Sequence, residues 1–229
     1  MKSLFLPLTV AAFLGLSIAG CDDDPTEPAP VARLRAIHAS PDAPAVDIYV
    51  DGARVAANVP YKATTDYLEV PAGGRNVQVR AAGTTTTVID ANVTLTAGGD
   101  YTVLAAGRLA TIAPLVLSDT NTAPAAGNVR VRLVHSAPTA GMVDIYVTAP
   151  NAEIAAIAPT LAGVPFRGFS PYLNVPAGSY RVRVTPAGSK TVAIDSGTLT
   201  LTTGQIRTGV ALDNTGGGAL FTAEVYADN

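Results

Sequence analysis

The residues best equipped for chemistry gather in one short segment that occurs twice. His38-Ala-Ser40-Pro-Asp42-Ala-Pro-Ala-Val-Asp47 brings together an imidazole, a hydroxyl and two carboxylates. Serine, histidine and aspartate are the parts of a nucleophilic triad, in which the imidazole takes the hydroxyl proton and the carboxylate orients the ring. Later in the chain His135-Ser136-Ala-Pro-Thr139 leads to Asp144 and repeats the step from His38 to Asp47. The serine does not keep its place. Ser40 stands two residues from its histidine, Ser136 stands next to its own, and Thr139 replaces Asp42. A nucleophile cannot slide along the backbone and keep its attack geometry, and no Gly-x-Ser-x-Gly elbow accompanies either copy. The spacing therefore predicts two structural pairs, His38 with Asp47 and His135 with Asp144. Each ring would donate to its carboxylate and pin a proline-containing rim loop to the following strand.

Metal and nucleic-acid chemistry fare no better. Asp42, Asp47 and Asp51 could offer oxygens to Ca²⁺, but their spacing matches no calcium loop and only Asp47 has a counterpart, Asp144. One histidine per copy, with no second histidine or cysteine beside it, makes no zinc site, and no cofactor is expected. The arginines fall at alternate strand positions, as Arg181 and Arg183 do, which reads as the solvated face of a sheet. With a net charge of −3, nucleic acid is not an expected partner. Tryptophan is absent, so the broad aromatic platforms common in glycan binders are missing.

The elements that must position these residues are written twice. Arg33-Leu-Arg-Ala-Ile-His38 matches Arg130-Val-Arg-Leu-Val-His135, and Val46-Asp-Ile-Tyr-Val50 matches Val143-Asp-Ile-Tyr-Val147, both at a shift of 97. Tyr67-Leu-Glu-Val-Pro-Ala-Gly73 matches Tyr172-Leu-Asn-Val-Pro-Ala-Gly178 at a shift of 105, which places an eight-residue insertion between Val147 and Tyr172. A period near one hundred is the size of a small domain, too long for a solenoid unit. Within each copy, segments such as "RVRLV" and "YRVRV" alternate charged and aliphatic residues, the period of two that turns one face to a core and the other to water. Short β-branched runs separated by glycine-containing turns predict an all-β fold. The expected architecture is two tandem antiparallel β-sandwiches, immunoglobulin-like or transthyretin-like. On the first strand of each copy, Leu34, Ala36 and His38, or Val131, Leu133 and His135, share the core-facing side.

The N-terminal segment carries an address. Lys2 precedes an apolar stretch from Leu4 to Ile18 that ends in Ile18-Ala-Gly-Cys21. Its length suits a secretory signal better than a membrane span. An aliphatic residue, two small residues and then cysteine resemble a bacterial lipobox, which makes Cys21 the expected lipidation site. Loss of the leader would leave no further cysteine, so no internal disulfide could support the fold. Each buried lipid methylene contributes about 0.8 kcal/mol to anchoring. The acidic, proline-rich residues after Cys21 cannot bury a core and read as a tether. The expected organisation is a signal peptide (1–20), a tether (21–32), a first sandwich (33–117), a linker (118–127) and a second sandwich (128–229).

"RAIHASPDAPAVDIYVDG" and "ANVPYKATTDYLEVPAG" together resemble the bacterial domain-of-unknown-function family numbered 4397, and the second copy keeps the same landmarks. The resemblance implies a β-sandwich and an envelope location and implies no activity. The sequence thus leads to a non-enzymatic, exported, lipid-anchored envelope protein. It would use its two modules for adhesion or for binding an envelope or extracellular protein or polymer, and would touch the membrane through its N-terminal lipid. The alternative is an accessory or hydrolytic enzyme acting on an envelope polymer through the His38/Asp47 rim.

Overall fold

Among the described residues, alternating aliphatic residues and glycine-containing turns yield sixteen strands, eight in each copy, arranged as four sheets. The computed structural model describes residues 29–218 and 220–229, so Cys21, the expected signal peptide and most of the expected tether lie outside the described residues. In the first copy the strands are β1 Val31–Ala39, β2 Val46–Val50, β3 Ala53–Val59, β4 Leu68–Pro71, β5 Gly73–Ala81, β6 Thr87–Leu95, β7 Asp100–Ala106 and β8 Ala113–Asp119. The second copy follows with β9 Asn128–Ser136, β10 Val143–Thr148, β11 Leu161–Val164, β12 Leu173–Pro176, β13 Gly178–Pro186, β14 Ile194–Leu201, β15 Ile206–Leu212 and β16 Thr222–Ala227. The sheet orders are β4-β1-β7-β8 and β3-β2-β5-β6, and their counterparts are β12-β9-β15-β16 and β11-β10-β13-β14. Pairing is antiparallel except between β1 and β7 and between β9 and β15, which run parallel.

The predicted inward faces form the cores. Ala32 and Leu34 pack with Val77, Val93 and Val103, and Ala36 packs with Val46, Ile48, Val79 and Ile89. The second core is built the same way around Leu133, Val143, Ile145, Val184 and Ile194. One exchange between the copies conserves volume. Ala36 pairs with Val103 across β1 and β7, whereas Leu133 pairs with Gly209 across β9 and β15. A Cβ on Gly209 would meet Leu133 Cδ2 at 3.3 Å, so the larger leucine occupies the space that Val103 fills in the first copy.

From Arg35 on β1 and Arg132 on β9 onward, the outward face of each strand does not meet water. Ile37, Ala39, Leu104, Ala106 and Leu117 from the first copy pack against Val134, Val210, Leu212 and Tyr226 from the second, making a third core between the sandwiches. The β4-β1-β7-β8 sheet therefore lies against the β12-β9-β15-β16 sheet, and the molecule is a stack of four sheets. Expecting alternation to mean solvent was wrong for these strands, because their second face is covered by the other copy. β8 also extends through Asp119, into the span expected to be linker, and Asp119 is buried in the seam.

The insertion after β10 lengthens a tight turn. Asp51 and Gly52, both at positive φ, join β2 to β3 in the first copy, a geometry Asp-Gly readily adopts. In the second, residues 149–160 loop out and bury Ile154. Arg183 Nη1 donates to the Ala152 carbonyl at 2.6 Å and Lys190 Nζ donates to that of Ile157. Arg183 is thus a buried clamp on this loop rather than part of a solvated face.

Candidate functional site

Each rim histidine sits at the inward end of its strand, buried to 1% exposure at His38 and 0% at His135. His38 Nε2 lies 2.9 Å from the Pro44 carbonyl, and its Nδ1 accepts from the Ser40 N–H at 3.3 Å. His135 repeats this with the Gly141 carbonyl at 2.7 Å and the Ala137 N–H at 3.4 Å. A carbonyl on one nitrogen and an N–H on the other define the neutral ring protonated on Nε2. Burial also lowers both histidine pKa values, against the opposing pull of the carbonyl contacts.

The aspartates are bonded elsewhere. Asp47 Oδ1 accepts from the Asn58 N–H at 2.7 Å, and its second oxygen faces the Gly83 N–H and Arg54. Asp144 accepts from the N–H groups of Gly163 and Gly188 at 2.7 and 2.9 Å. Asn58, Gly163, Gly83 and Gly188 all have positive φ, so each carboxylate holds two left-handed backbone positions together. These backbone bonds keep the Asp47 carboxylate below its usual pKa. The expected His–Asp pairing is therefore corrected: the histidine fastens its own loop, while the aspartate fastens the next two. The signal was already in the sequence, because the residues meeting Asp144 are glycines at positions equivalent to Asn58 and Gly83.

This geometry gives the enzymatic alternative no base, since both His38 nitrogens are committed to backbone. The Ser40 hydroxyl is fully buried as well. The carboxylates weighed for calcium are engaged separately. Asp42 accepts from the Leu109 N–H and faces Arg108, and Asp51 binds Arg75 and the Asn76 N–H. Among the described residues no three histidine, cysteine, aspartate or glutamate side chains gather as a metal cage.

The most concentrated polar chemistry lies in the seam between sandwiches. Arg35 and Arg132, both 2% exposed, are two of the arginines that alternation assigned to solvent. Arg35 on β1 crosses to Asp228 of the second copy at 2.5 Å, and Arg132 on β9 crosses to Asp119 of the first at 2.5 Å. Thr102 and Tyr67 hydroxyls both donate to Asp119, and those of Thr208 and Tyr172 both donate to Asp228. Each guanidinium lies over the matching ring, Arg35 at 4.9 Å from Tyr67 and Arg132 at 4.7 Å from Tyr172. Burial works against the charged Arg35, but Asp228, Tyr67 and Asp119 outweigh it and raise its pKa. The network is reciprocal: the two copies face each other about a pseudo-two-fold axis, as subunits of an isologous dimer do.

At one side of this seam a cleft of about 560 Å³ opens between Arg33, Arg35 and Thr64–Tyr67 of the first copy, Asn121, and Val225–Asn229 of the second. Arg33 is held by Asp100 through two 2.6 Å bonds, and Asn121 Nδ2 reaches the same carboxylate at 2.8 Å. Sequence reasoning missed this cleft because its walls come from opposite ends of the chain.

Against known families, the model described as "Domain of unknown function (DUF4397)" matches residues 32–146 and again 148–229. The chain belongs to this family. Two consecutive DUF4397 matches agree with the repeated halves of the fold. No curated protein matches the sequence. Solved structures offer faint likenesses. The Bacillus anthracis TIE protein is 10% identical over 81% of this chain at a TM-score of 0.27, and the chain spans only 34% of that protein. A family 26 carbohydrate-binding module from Eubacterium rectale in complex with maltoheptaose is 11% identical over 87% of this chain and 97% of that one, at a TM-score of 0.27. A streptococcal virulence factor described as binding α-glucan is 12% identical over 85% and 96%, with a TM-score of 0.29. Similarity at this level carries no argument about role.

Proposed function

We propose that this DUF4397 protein is a non-enzymatic binding protein of the bacterial cell envelope. Cys21 carries its lipid, residues after it form a tether, and the fused double sandwich presents the seam cleft to an extracytoplasmic protein or polymer. The open polar cleft carries this reading. It is walled by two sheets that the buried ion pairs hold in fixed relation, so a ligand meets a preformed surface. The rim histidines contribute stability only.

The test immobilises residues 22–229 and exposes them to envelope fractions and purified envelope polymers. Binding should survive His38→Asn when the fold is intact and weaken on Thr64→Phe in the cleft. Turnover of a polymer that His38→Asn abolishes without loss of fold would contradict the reading. Lipidation is read separately with a fatty-acid analogue, which should label the wild type and leave Cys21→Ser unlabelled.

A further inference from the structure

The two copies provide an internal comparison for the cleft. By the pseudo-two-fold relation, Arg33, Thr64, Asp66 and Tyr67 correspond to Arg130, Phe169, Pro171 and Tyr172. The second set is less polar, with Phe169 and Pro171 both exposed. Phe169 replaces Thr64, Pro171 replaces Asp66, and Arg130 Nη1 faces the Thr120 and Thr122 carbonyls at 3.4 and 2.9 Å. The same fold thus forms with phenylalanine and proline at these positions. Folding does not demand the polar residues Thr64 and Asp66.

Their free hydrogen-bonding capacity has a definite pattern. Arg33 uses Nε and Nη2 on Asp100 and leaves Nη1 without a partner among the described residues. The Asp66 carboxylate is exposed and, among the described residues, unpaired. Asn121 Oδ1 has no hydrogen-bond partner among the described residues but is buried behind the cleft surface, while the exposed Thr64 hydroxyl donates to backbone carbonyls and keeps lone pairs to accept with. One donor therefore stands among several acceptors. The cations are already neutralised, Arg33 by Asp100 and Arg35 by Asp228, and Asp66 is left as the uncompensated charge. An anionic ligand would meet Asp66 with no unpaired cation to offset it, and a cationic ligand, which carries donors only, would leave the Arg33 Nη1 donor unmatched. Neighbouring hydroxyls, each both donor and acceptor, satisfy the whole set without net charge.

We propose that the cleft binds a neutral saccharide unit of an envelope or extracellular polymer, recognised through its hydroxyls rather than by stacking on an aromatic platform. The inference rests on the reading of this chain as a binding protein and names the ligand class of its cleft. A volume near 560 Å³ lies within the range of about 300–1,000 Å³ typical of small-molecule sites.

The test is isothermal titration of residues 22–229 with neutral glucan, mannan and chitin tetrasaccharides, with trigalacturonate as the acidic probe and tetra-alanine as the peptide probe. At least one neutral tetrasaccharide should bind. Thr64→Phe, which installs the residue found at the equivalent position, and Asp66→Ala should each weaken it by about tenfold, as loss of one or two hydrogen bonds predicts. Phe169→Thr should leave affinity unchanged, and circular dichroism should report native folds throughout. Saccharide binding indifferent to Thr64→Phe and Asp66→Ala would overturn the site. Preference for trigalacturonate or tetra-alanine, weakened by the same variants, would overturn the saccharide and leave the binding-protein reading standing. Absence of binding to every probe at millimolar concentration would overturn the inference, and the envelope-fraction assay then judges the broader reading alone.

Discussion

Replacing Asp228 by asparagine removes one charge from the seam while nearly preserving its shape. Asp228 receives the Arg35 guanidinium and the hydroxyls of Thr208 and Tyr172. Arg35 cannot swing to water, because its other donors are fixed on Thr102 Oγ1 at 2.8 Å and on the Ala227 carbonyl at 2.6 Å. Breaking one partner of a buried pair costs about 3–5 kcal/mol, because a desolvated charge is left uncompensated. Asp228→Asn should fall in that range by equilibrium urea unfolding, and Asp119→Asn should match it through Arg132. Removing both members with hydrophobic residues, Arg35→Met with Asp228→Leu, should recover part of the loss, since no buried charge is left uncompensated although the Thr208 and Tyr172 hydroxyls lose their acceptor. Single-variant losses below about 1 kcal/mol would refute the reasoning, because the guanidinium would then have reached water through the adjoining cleft despite its bonds to Thr102 and Ala227.

Other predictions follow from the same contacts. Both rim histidines are held neutral, with folded pKa values below the ordinary 6.5, so the unfolded chain binds more protons in the acid range. Their contribution to stability should be complete above pH 6.5 and decline as pH falls below it, visible as a urea midpoint that drops toward pH 5. His38→Asn with His135→Asn should flatten that slope. Tyr61 donates to the Asp213 carbonyl at 2.8 Å across the seam, and Phe166 stands at the equivalent position of the second copy. Tyr61→Phe should therefore fold normally and lose about 1 kcal/mol in thermal or urea unfolding. The second sandwich holds an aliphatic cavity of about 60 Å³ beside Val131, where the first copy has Leu34. Val131→Leu should fill part of it and raise stability by about 1 kcal/mol, whereas an unchanged or lower urea midpoint would mean that the cavity cannot take a methylene.

Strand character and inward faces were legible because each depends on residues close together in sequence, and the repeat period because the two copies keep matching segments. The seam was not, since it depends on matching two surfaces: Arg35 and Asp228 are 193 positions apart. Even so, β7 carried a clue. "DYTVLAA" lacks the alternation of a half-solvated strand, and its residues from Thr102 to Ala106 are all buried, with one side toward each neighbouring layer. The rim pairs failed for a different reason. A fixed His-to-Asp spacing records that both residues matter locally, but backbone groups compete for each side chain and are nearer. Left-handed positions at Asn58 and Gly83 present N–H groups that a carboxylate satisfies at close range.

The central claim is that two family domains are locked through buried reciprocal ion pairs into one body whose seam bears the cleft. Distance measurement between spin labels on the two outer sheets tests it most directly. Cysteines introduced at exposed Thr94 on β6 and Thr200 on β14, in protein lacking Cys21, can carry the labels. Double electron–electron resonance should give one narrow distance distribution, broadened by Asp119→Asn with Asp228→Asn. A broad or multimodal distribution in the otherwise unaltered protein would contradict the account.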